Sequence, residues 1–332
     1  MSQGSQFRRT LRERSAGRGR RLLFPEADDA RTAAAVATIL EHDICVPTLV
    51  GAPDIVRASL AAAGVEADVD IIDPEADLEL WALRLQELRA HRAMSLEEAT
   101  EHARTPLVRA ALMVGADEYQ GSVAGAANTS GDVVRAALWA VGPVEGIRTV
   151  SSAFYMTVRD FRGAGEETLT YTDAAVVQYP STVQLADIAW AAADARRRVV
   201  GDEPIVAFLS HSTMGSASGP SIDRVREAVK LFRSRHPEIQ ADGEFQVDAA
   251  LIRSIGERKA PGSAIAGRAN ILVFPDLDSA NIAYKLTERL GGGEAVGPIM
   301  HGLRRPCNDL SRGASADDIV DVACVTALMV AD

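Results

Sequence analysis

Short apolar runs alternate with longer stretches of helical period along most of this chain. The segment "RLLFPEA" (residues 21–27) is a continuous apolar run closed by a Pro, the pattern of a buried strand. In "DARTAAAVATILEHD" the Ala, Val, Ile and Leu positions recur on one face, which predicts an amphipathic helix. The alternation continues through a strand at "VPTLVGA", a helix at "APDIVRASLAAAGV" and a strand at "VDIIDPE". Strands separated by helices of about 10 to 15 residues predict βαβ units and a largely parallel sheet. A longer helical region covers residues 78–116 and breaks at "HRAMSLEEAT", where Ser95 and Glu98 have the spacing of a capping box. "SVAGA" then reads as a strand and "TSGDVVRAALWAVG" as the start of a helix.

From about Thr149 the texture changes. "TVSSAFYMTV", "TLTYTDAAVVQYP" and "PIVAFLS" are rich in β-branched and aromatic residues and predict strands of a second sheet. Helices at "TVQLADIAWAAADARRRVV" and "PSIDRVREAVKLFRSRH" separate them. "ANILVFPDL" is a further strand, and "SANIAYKLTERL" a helix stopped by Gly291, Gly292 and Gly293. The closing helix, "ADDIVDVACVTALMVA", places Ile319, Val322, Ala323, Ala327 and Val330 on one stripe. At 332 residues the chain has room for two domains, so the pattern predicts an α/β protein of two domains.

Composition narrows the function classes. The net charge of −11 argues against general nucleic-acid binding, which needs a basic face, yet local arginines can still hold a small anion in a cleft. No apolar run reaches the eighteen or so residues that span a bilayer, so no membrane partner is expected. Cys45, Cys307 and Cys324 lie far apart without CxxC spacing. They point to a reducing, cytoplasmic compartment and to neither disulfides nor a zinc site. The first 21 residues depart from the acidic balance with seven arginines and one Glu. Lacking the apolar run of a secretory signal, they read as a short solvated helix or frayed lead-in.

The standard nucleotide signatures are absent: there is no GxxxxGK[ST] loop, and no GxGxxG between a strand and a helix. HExxH and GxSxG are absent too. His211 and His301 have no sequence-level partner and read as structural. Two stretches remain. "AFLSHSTMGSASGPSIDRV" runs from a strand through small hydroxyl residues into a helix, so its backbone N–H groups offer an anion site. The alternative is a flexible connector in which Ser221 caps the next helix. "RRPCNDLSRGASADDIV" sets Ser311 and Arg312 before a helix start where Ser315 and Asp318 fit S-x-x-[DE]. Spacing alone reads Asp318 as a capping carboxylate; the same geometry also gathers a hydroxyl, a guanidinium and a base. Arg89, Arg135, Arg289 and Arg312 lie beside polar loops, where a guanidinium is either a solvated charge or a fork for phosphate oxygens.

Five stretches together resemble the phosphate acetyltransferases (phosphotransacetylases) of the phosphate acetyl/butyryltransferase family. They are "ELRAHR", "VAGAANTSGDVVRAAL", "DGEFQVDAA", "RKAPGSAIAGRANILVFPDLDSANIAYKLTERLGG" and "GPIMHGLRRPCNDLSRGASADDIV". The resemblance runs from "LLFPEADDARTAAA" to the C-terminus and is weaker to the phosphate butyryltransferases. It implies the reversible reaction of acetyl phosphate and CoA to acetyl-CoA and phosphate. The partners it implies are these small molecules, with CoA as substrate, no tightly bound cofactor and no metal. It also implies two α/β domains with largely parallel sheets, similar to the isocitrate and isopropylmalate dehydrogenases. The site would lie in the interdomain cleft, and the protein would be a homodimer. Because the last helix of this family returns to the first domain, the domains are expected at 1–148 with 300–332 and at 149–299.

Position by position, the resemblance makes Asp318 the base that takes the CoA thiol proton. It makes Ser311 a transition-state stabiliser and Arg312 its neighbour in substrate or transition-state binding. Arg89, Arg135 and Arg289 match arginines that bind CoA or the phosphorylated substrate, and Ser212, Thr213 and Asn308 join that substrate-binding set. Asn128 stands where members usually carry His, and Met214 where they usually carry Lys. Two alternatives to an acetyl-specific enzyme stay open: a paralogue for propionyl or butyryl phosphate, and a non-catalytic acetyl-CoA-sensing module.

Overall fold

The computed structural model describes residues 5–163 and 165–331. Its elements open with α1 (Gln6–Ser15), β1 (Arg21–Phe24), α2 (Ala30–Glu41), β2 (Val46–Val50), α3 (Pro53–Ala62) and β3 (Asp70–Ile72). Next come α4 (Leu78–Leu88), a 3-10 turn (Ala90–Arg92), α5 (Leu96–Ala103), α6 (Pro106–Gly115), β4 (Gly121–Val123) and α7 (Ser130–Ala140). The middle of the chain holds β5 (Ser151–Arg159), β6 (Glu166–Thr172), α8 (Thr182–Val199), β7 (Ile205–Leu209), α9 (Pro220–Arg235) and β8 (Gln240–Phe245). It continues with α10 (Val247–Leu251), α11 (Arg253–Lys259), β9 (Ile271–Val273), α12 (Leu277–Arg289) and β10 (Glu294–His301). The chain closes with β11 (Cys307–Asn308) and α13 (Ala316–Met329). These elements form two compact units, one of residues 8–145 and 303–331, the other of residues 5–7 and 146–302 as far as they are described.

The first unit is built on a five-stranded sheet of order β11-β4-β1-β2-β3, parallel throughout. The alternation along the sequence produces it directly: each short apolar run is a strand, and each helix between runs carries the chain back across the sheet. Leu22, Leu23 and Phe24 of β1 are buried, as are Ala33, Ala35, Val36 and Ile39 of α2. Asp29 caps α2 by accepting the Arg31 N–H at 2.8 Å. At α5, Ser95 and Glu98 form the capping box that their spacing predicts. The five stripe positions of α13 are all buried. Burial extends round the whole helix from Ile319 to Leu328, because α13 lies between α2 and β4.

In strand order, β2 and β3 follow β1 toward one edge, while β4 and β11 lie on its other side. The loops leaving the C-terminal ends of β1 and β4 therefore diverge, and in open parallel sheets this switch point is where ligand crevices form.

The second unit has a six-stranded sheet of order β10-β5-β6-β9-β7-β8. Strands β6, β9, β7 and β8 are parallel, whereas β5 runs antiparallel to both β6 and β10. A short turn joins β5 to β6, and only antiparallel strands can be joined that way. Leu185, Ile188, Ala189 and Ala192 of α8 pack with Val206, Phe208, Ile271 and Val273 of the sheet.

Two local expectations change. Ser221 does not cap α9: Gly219 is the N-cap and Pro220 takes the first helical position, where a fixed φ and a missing N–H carry no penalty. The N-terminal helix is not solvated throughout. Four of the seven arginines, Arg8, Arg9, Arg12 and Arg14, lie on α1, which buries Phe7, Leu11 and Ser15 and pairs Arg8 and Arg12 with carboxylates of α13. Among the described residues no helix is long and apolar enough to cross a membrane.

Gly121 sits where β4 is pressed between β1 and β11. A Cβ there would lie 2.8 Å from both the Pro306 carbonyl oxygen and the Thr326 methyl. Gly121→Ala is expected to cost about 1–3 kcal/mol of stability through this overpacking. Urea unfolding should show a lowered midpoint with an unchanged slope.

Candidate active site

Pro25 ends β1, and the next residue, Glu26, turns inward to 4% exposure. Its carboxylate accepts the backbone N–H groups of Gly125, Ala126, Ala127 and Asn128 at 2.9, 2.7, 3.0 and 2.8 Å. The Asn128 side chain adds a fifth donor at 2.8 Å. Successive N–H groups converging on one point form an anion nest. Here the anion is the protein's own, and Asn128 is part of the nest. Gly125 adopts φ +109°, and a Cβ on it would lie 2.3 Å from Asp309 Oδ1 and 2.5 Å from the Leu310 nitrogen. Glycine is required there for the loops after β4 and β11 to close on each other.

β11 pairs with β4 and leads straight into the segment holding Ser311 and Arg312. Asn308, at its end, is fully buried and donates to Thr326 Oγ1 at 2.8 Å, inside the core of this unit. Asp309 is 1% exposed, and its Oδ1 has no hydrogen-bond partner. Burial pushes its carboxyl up to about 6, against the hydrogen bonds from Ser130 and Leu310, and the nearby Glu26 charge adds to the rise. Beyond it Ser311 and Arg312 are exposed. The Ser311 carbonyl accepts the Ala314 N–H at 2.8 Å, which folds the segment into a tight turn.

Arg31 holds that turn. Its Nη1 donates to the carbonyls of Arg312 and Ala314, each at 2.9 Å. Its Nη2 donates to the Ala126 carbonyl at 2.7 Å, and its other face pairs with Asp29. One guanidinium therefore ties the Ser311–Arg312 turn to the loop that Glu26 organises.

Asp318 is half-buried at the third position of α13, and both readings of its spacing apply to it. Ser315 Oγ accepts the Asp318 N–H at 3.2 Å, while Asp318 Oδ2 accepts the Ser315 N–H and hydroxyl at 2.9 Å each. The cap fixes where the carboxylate stands and leaves Oδ1 available to a second partner, Arg8 Nη2 at 3.3 Å.

Arg89 and Arg135 come to one face of this unit. The Arg89 guanidinium lies 5.2 Å over the Trp139 ring, and Trp139 follows Arg135 by one turn of α7. Burial, then the neighbouring Arg92, lowers the pKa of Arg89 from its ordinary value. Arg135 is exposed and pairs with Asp132 at 3.0 Å.

The other candidates belong to the second unit. Ser212 is fully buried in the loop after β7 and donates to Glu244 Oε1 at 2.7 Å. Thr213 Oγ1 accepts the Gln246 N–H at 2.9 Å. Burial works against the Glu244 charge, but bonds from Arg226, Ser212 and Gly215 outweigh it and hold the carboxyl down at about 2. Ser212 and Thr213 thus tie this loop to the end of β8. Arg289, at the end of α12, is exposed and lies 3.5 Å from Glu288.

Cys45, Cys307 and Cys324 are free and buried, and burial pushes their thiols upward, Cys307 to about 11 and Cys324 to about 12. Thiols so protonated are poor nucleophiles. Among the described residues no group of three or more His, Cys, Asp or Glu could hold a metal ion. Glu26, Arg31, Asp309 and Arg8 escape a reading of spacing, since each acts through partners distant in sequence. The one signal was the position of Glu26 and Arg31 in the loop and helix start after the first strand of a parallel sheet.

The chain matches the family model described as phosphate acetyl/butaryl transferase over residues 6–327. It is 39% identical over 324 residues to the phosphate acetyltransferase of Acetivibrio thermocellus, covering 97% of each chain. With that of Treponema pallidum it shares 41% identity over 327 residues, 96% of this chain and 97% of the other. Among solved structures, a phosphotransacetylase from Streptococcus pyogenes superimposes with a TM-score of 0.91 at 36% identity, covering 97% of each chain.

The buried Asp309 generates a test. A carboxyl raised to about 6 in the folded state holds a proton that the unfolded chain releases near pH 4, so its contribution to stability falls as pH rises through that window. Asp309→Asn mimics the protonated form. Relative to the wild type it should gain on the order of 2 kcal/mol between pH 4 and pH 7. Urea unfolding at both pH values measures this, and a constant difference would contradict the burial argument.

Proposed function

The chain belongs to the phosphate acetyl/butaryl transferase family, and we propose that it catalyses the reversible transfer of an acetyl group between phosphate and CoA. The observation that supports this most is the placement of Asp318. A half-buried carboxylate is fixed at a helix start, directly after a turn that exposes Ser311 and Arg312. A thiol of pKa about 8.5 is mostly protonated near neutrality, so a positioned base accelerates its attack. In the proposed step Asp318 takes the CoA thiol proton and the sulfur adds to the acetyl carbonyl. The carbon–oxygen bond to phosphate then breaks, and phosphate leaves. Negative charge grows on the carbonyl oxygen in the transition state, where the Ser311 hydroxyl and the Arg312 guanidinium act as donors. Among the described residues Arg312 makes no ion pair, which leaves its charge for this purpose. Arg89, Arg135 and Arg289 bind phosphoryl groups of the substrates, and proximity within a ternary complex supplies much of the remaining acceleration.

The relatives at 39 and 41% identity are named phosphate acetyltransferases, which favours acetyl over longer acyl groups. Met214 in the Ser212–Thr213 loop is exposed and is the substitution to watch for acyl preference. A cytoplasmic setting is part of this proposal, and the three free cysteines support it. A homodimer is also part of this proposal: Ile282 and Leu286 of α12 and Leu290 at its C-cap are exposed at helical spacing, an apolar surface that a second copy can cover.

The purified protein should consume CoA thiol with acetyl phosphate in the presence of a metal chelator, with kcat/KM highest for acetyl over propionyl and butyryl phosphate. Asp318→Asn should lower kcat by roughly 10²–10⁴ with an unchanged circular dichroism spectrum, the range a positioned base contributes. CoA binding without turnover of any acyl phosphate by the wild type would contradict the proposal.

A further inference from the structure

We propose that Arg8 is a positioning residue for the Asp318 carboxylate, held in place for that task by the buried Asp321. This rests on the reading of Asp318 as the base.

The geometry lies where arginines of α1 reach carboxylates at the start of α13. Asp318 and Asp321 stand three residues apart and so share one face of α13. The Arg8 guanidinium bridges them: Nη1 pairs with Asp321 Oδ2, and Nη2 with Asp318 Oδ1 at 3.3 Å. A planar fork that engages two carboxylates at once has little freedom to rotate, unlike a single ammonium.

Asp321 needs an explanation of its own. Its side chain is 1% exposed, and its neighbours Ile319, Val320, Val322 and Ala323 are buried apolar residues. A carboxylate in such a place is costly, and helix packing alone would be served as well by an apolar side chain. Its partners are Arg8 and, at 3.7 Å, Arg12, which also pairs with Asp317 at 3.1 Å. Asp321 thus acts as an internal anchor for the arginines of α1.

The consequence falls on one oxygen. Ser315 occupies Asp318 Oδ2 with two hydrogen bonds, so Oδ1 is the oxygen left to face a thiol, and Arg8 is its charged neighbour. The cap fixes the position of the carboxylate, and Arg8 fixes its plane. With side-chain exposures of 19% for Arg8 and 40% for Asp318, the pair sits at the surface, within reach of a substrate. Two further charged groups of this junction, Asp317 and Arg12, pair with each other at 3.1 Å.

Steady-state kinetics with acetyl phosphate and CoA test this on the full chain. Arg8→Gln should lower kcat roughly ten- to a hundredfold, part of the ~10²–10⁴ a positioned base supplies, and leave KM for CoA within about twofold. Arg8→Lys should recover part of that loss, since an ammonium restores the charge without the fork. Arg12→Gln, which removes a neighbouring cation that does not touch Asp318, should keep kcat near the wild-type value. Because Arg8→Gln leaves the buried Asp321 with Arg12 at 3.7 Å in place of its tighter partner, the double variant Arg8→Met/Asp321→Leu removes the pair together. It should fold and still show the lowered kcat. The proposal is overturned if the double variant regains wild-type kcat, or if Arg12→Gln is as impaired as Arg8→Gln. It is likewise overturned if the Arg8 variants turn over normally while Asp318→Asn does not. Full turnover by Asp318→Asn would instead remove the base reading on which the proposal stands.

Discussion

The interaction on which the first unit depends is the Glu26 carboxylate bound by four consecutive backbone N–H groups. A buried carboxylate without partners costs several kcal/mol, and hydrogen bonds to a charged group contribute about 1.5–3 kcal/mol each, so only a full set makes this arrangement stable. Satisfying it dictates the path of residues 125–128, and that path brings Gly125 against Asp309 and Leu310. The turn carrying Ser311 and Arg312 follows at once, and Arg31 ties it back to Ala126 and to Asp29. A closed circuit of polar contacts therefore runs through the ends of β1, β4 and β11. All of it stands at the C-terminal edge of a parallel sheet, beside the point where the strand order changes direction.

Charge is arranged locally against the overall balance. The chain carries a net charge of −11, yet its N-terminal helix is basic and the start of α13 is acidic, and the two meet. Asp317 and Asp318 at the start of α13 also lie where the helix dipole favours negative charge. Arg89 and Arg135 form a second basic feature on the face marked by Trp139. Such local concentrations of arginine let an acidic protein handle anionic substrates.

Much of the architecture was legible in the sequence because period and turn chemistry act locally. The strand at β1, the helix at α2, the capping boxes of α5 and α13 and the richer β texture after Thr149 follow from residues within one turn or one strand of each other. The antiparallel strands β5 and β10 were less legible, since nothing in strand composition states the direction of a neighbour. Arg8 was misread as part of a solvated lead-in, because the carboxylates that bind it lie more than 300 residues away. Glu26 and Asp309 carry no motif; their roles come from burial and from loops that converge only in the fold. The hydrogen bond from the Asn308 amide to Thr326 was not legible either, because its partner lies on the closing helix.

In the proposed mechanism the circuit through Glu26 and Arg31 holds the Ser311–Arg312 turn beside Asp318. The most direct measurement is kcat for acetyl phosphate and CoA in an Arg31→Met protein, with folding checked by circular dichroism. Arg31 touches the turn only through backbone carbonyls, so the variant keeps every proposed catalytic side chain. Its kcat should fall by tenfold or more, within the ~10²-fold that a displacement of about 1 Å can cause. A folded Arg31→Met protein with wild-type kcat would contradict it.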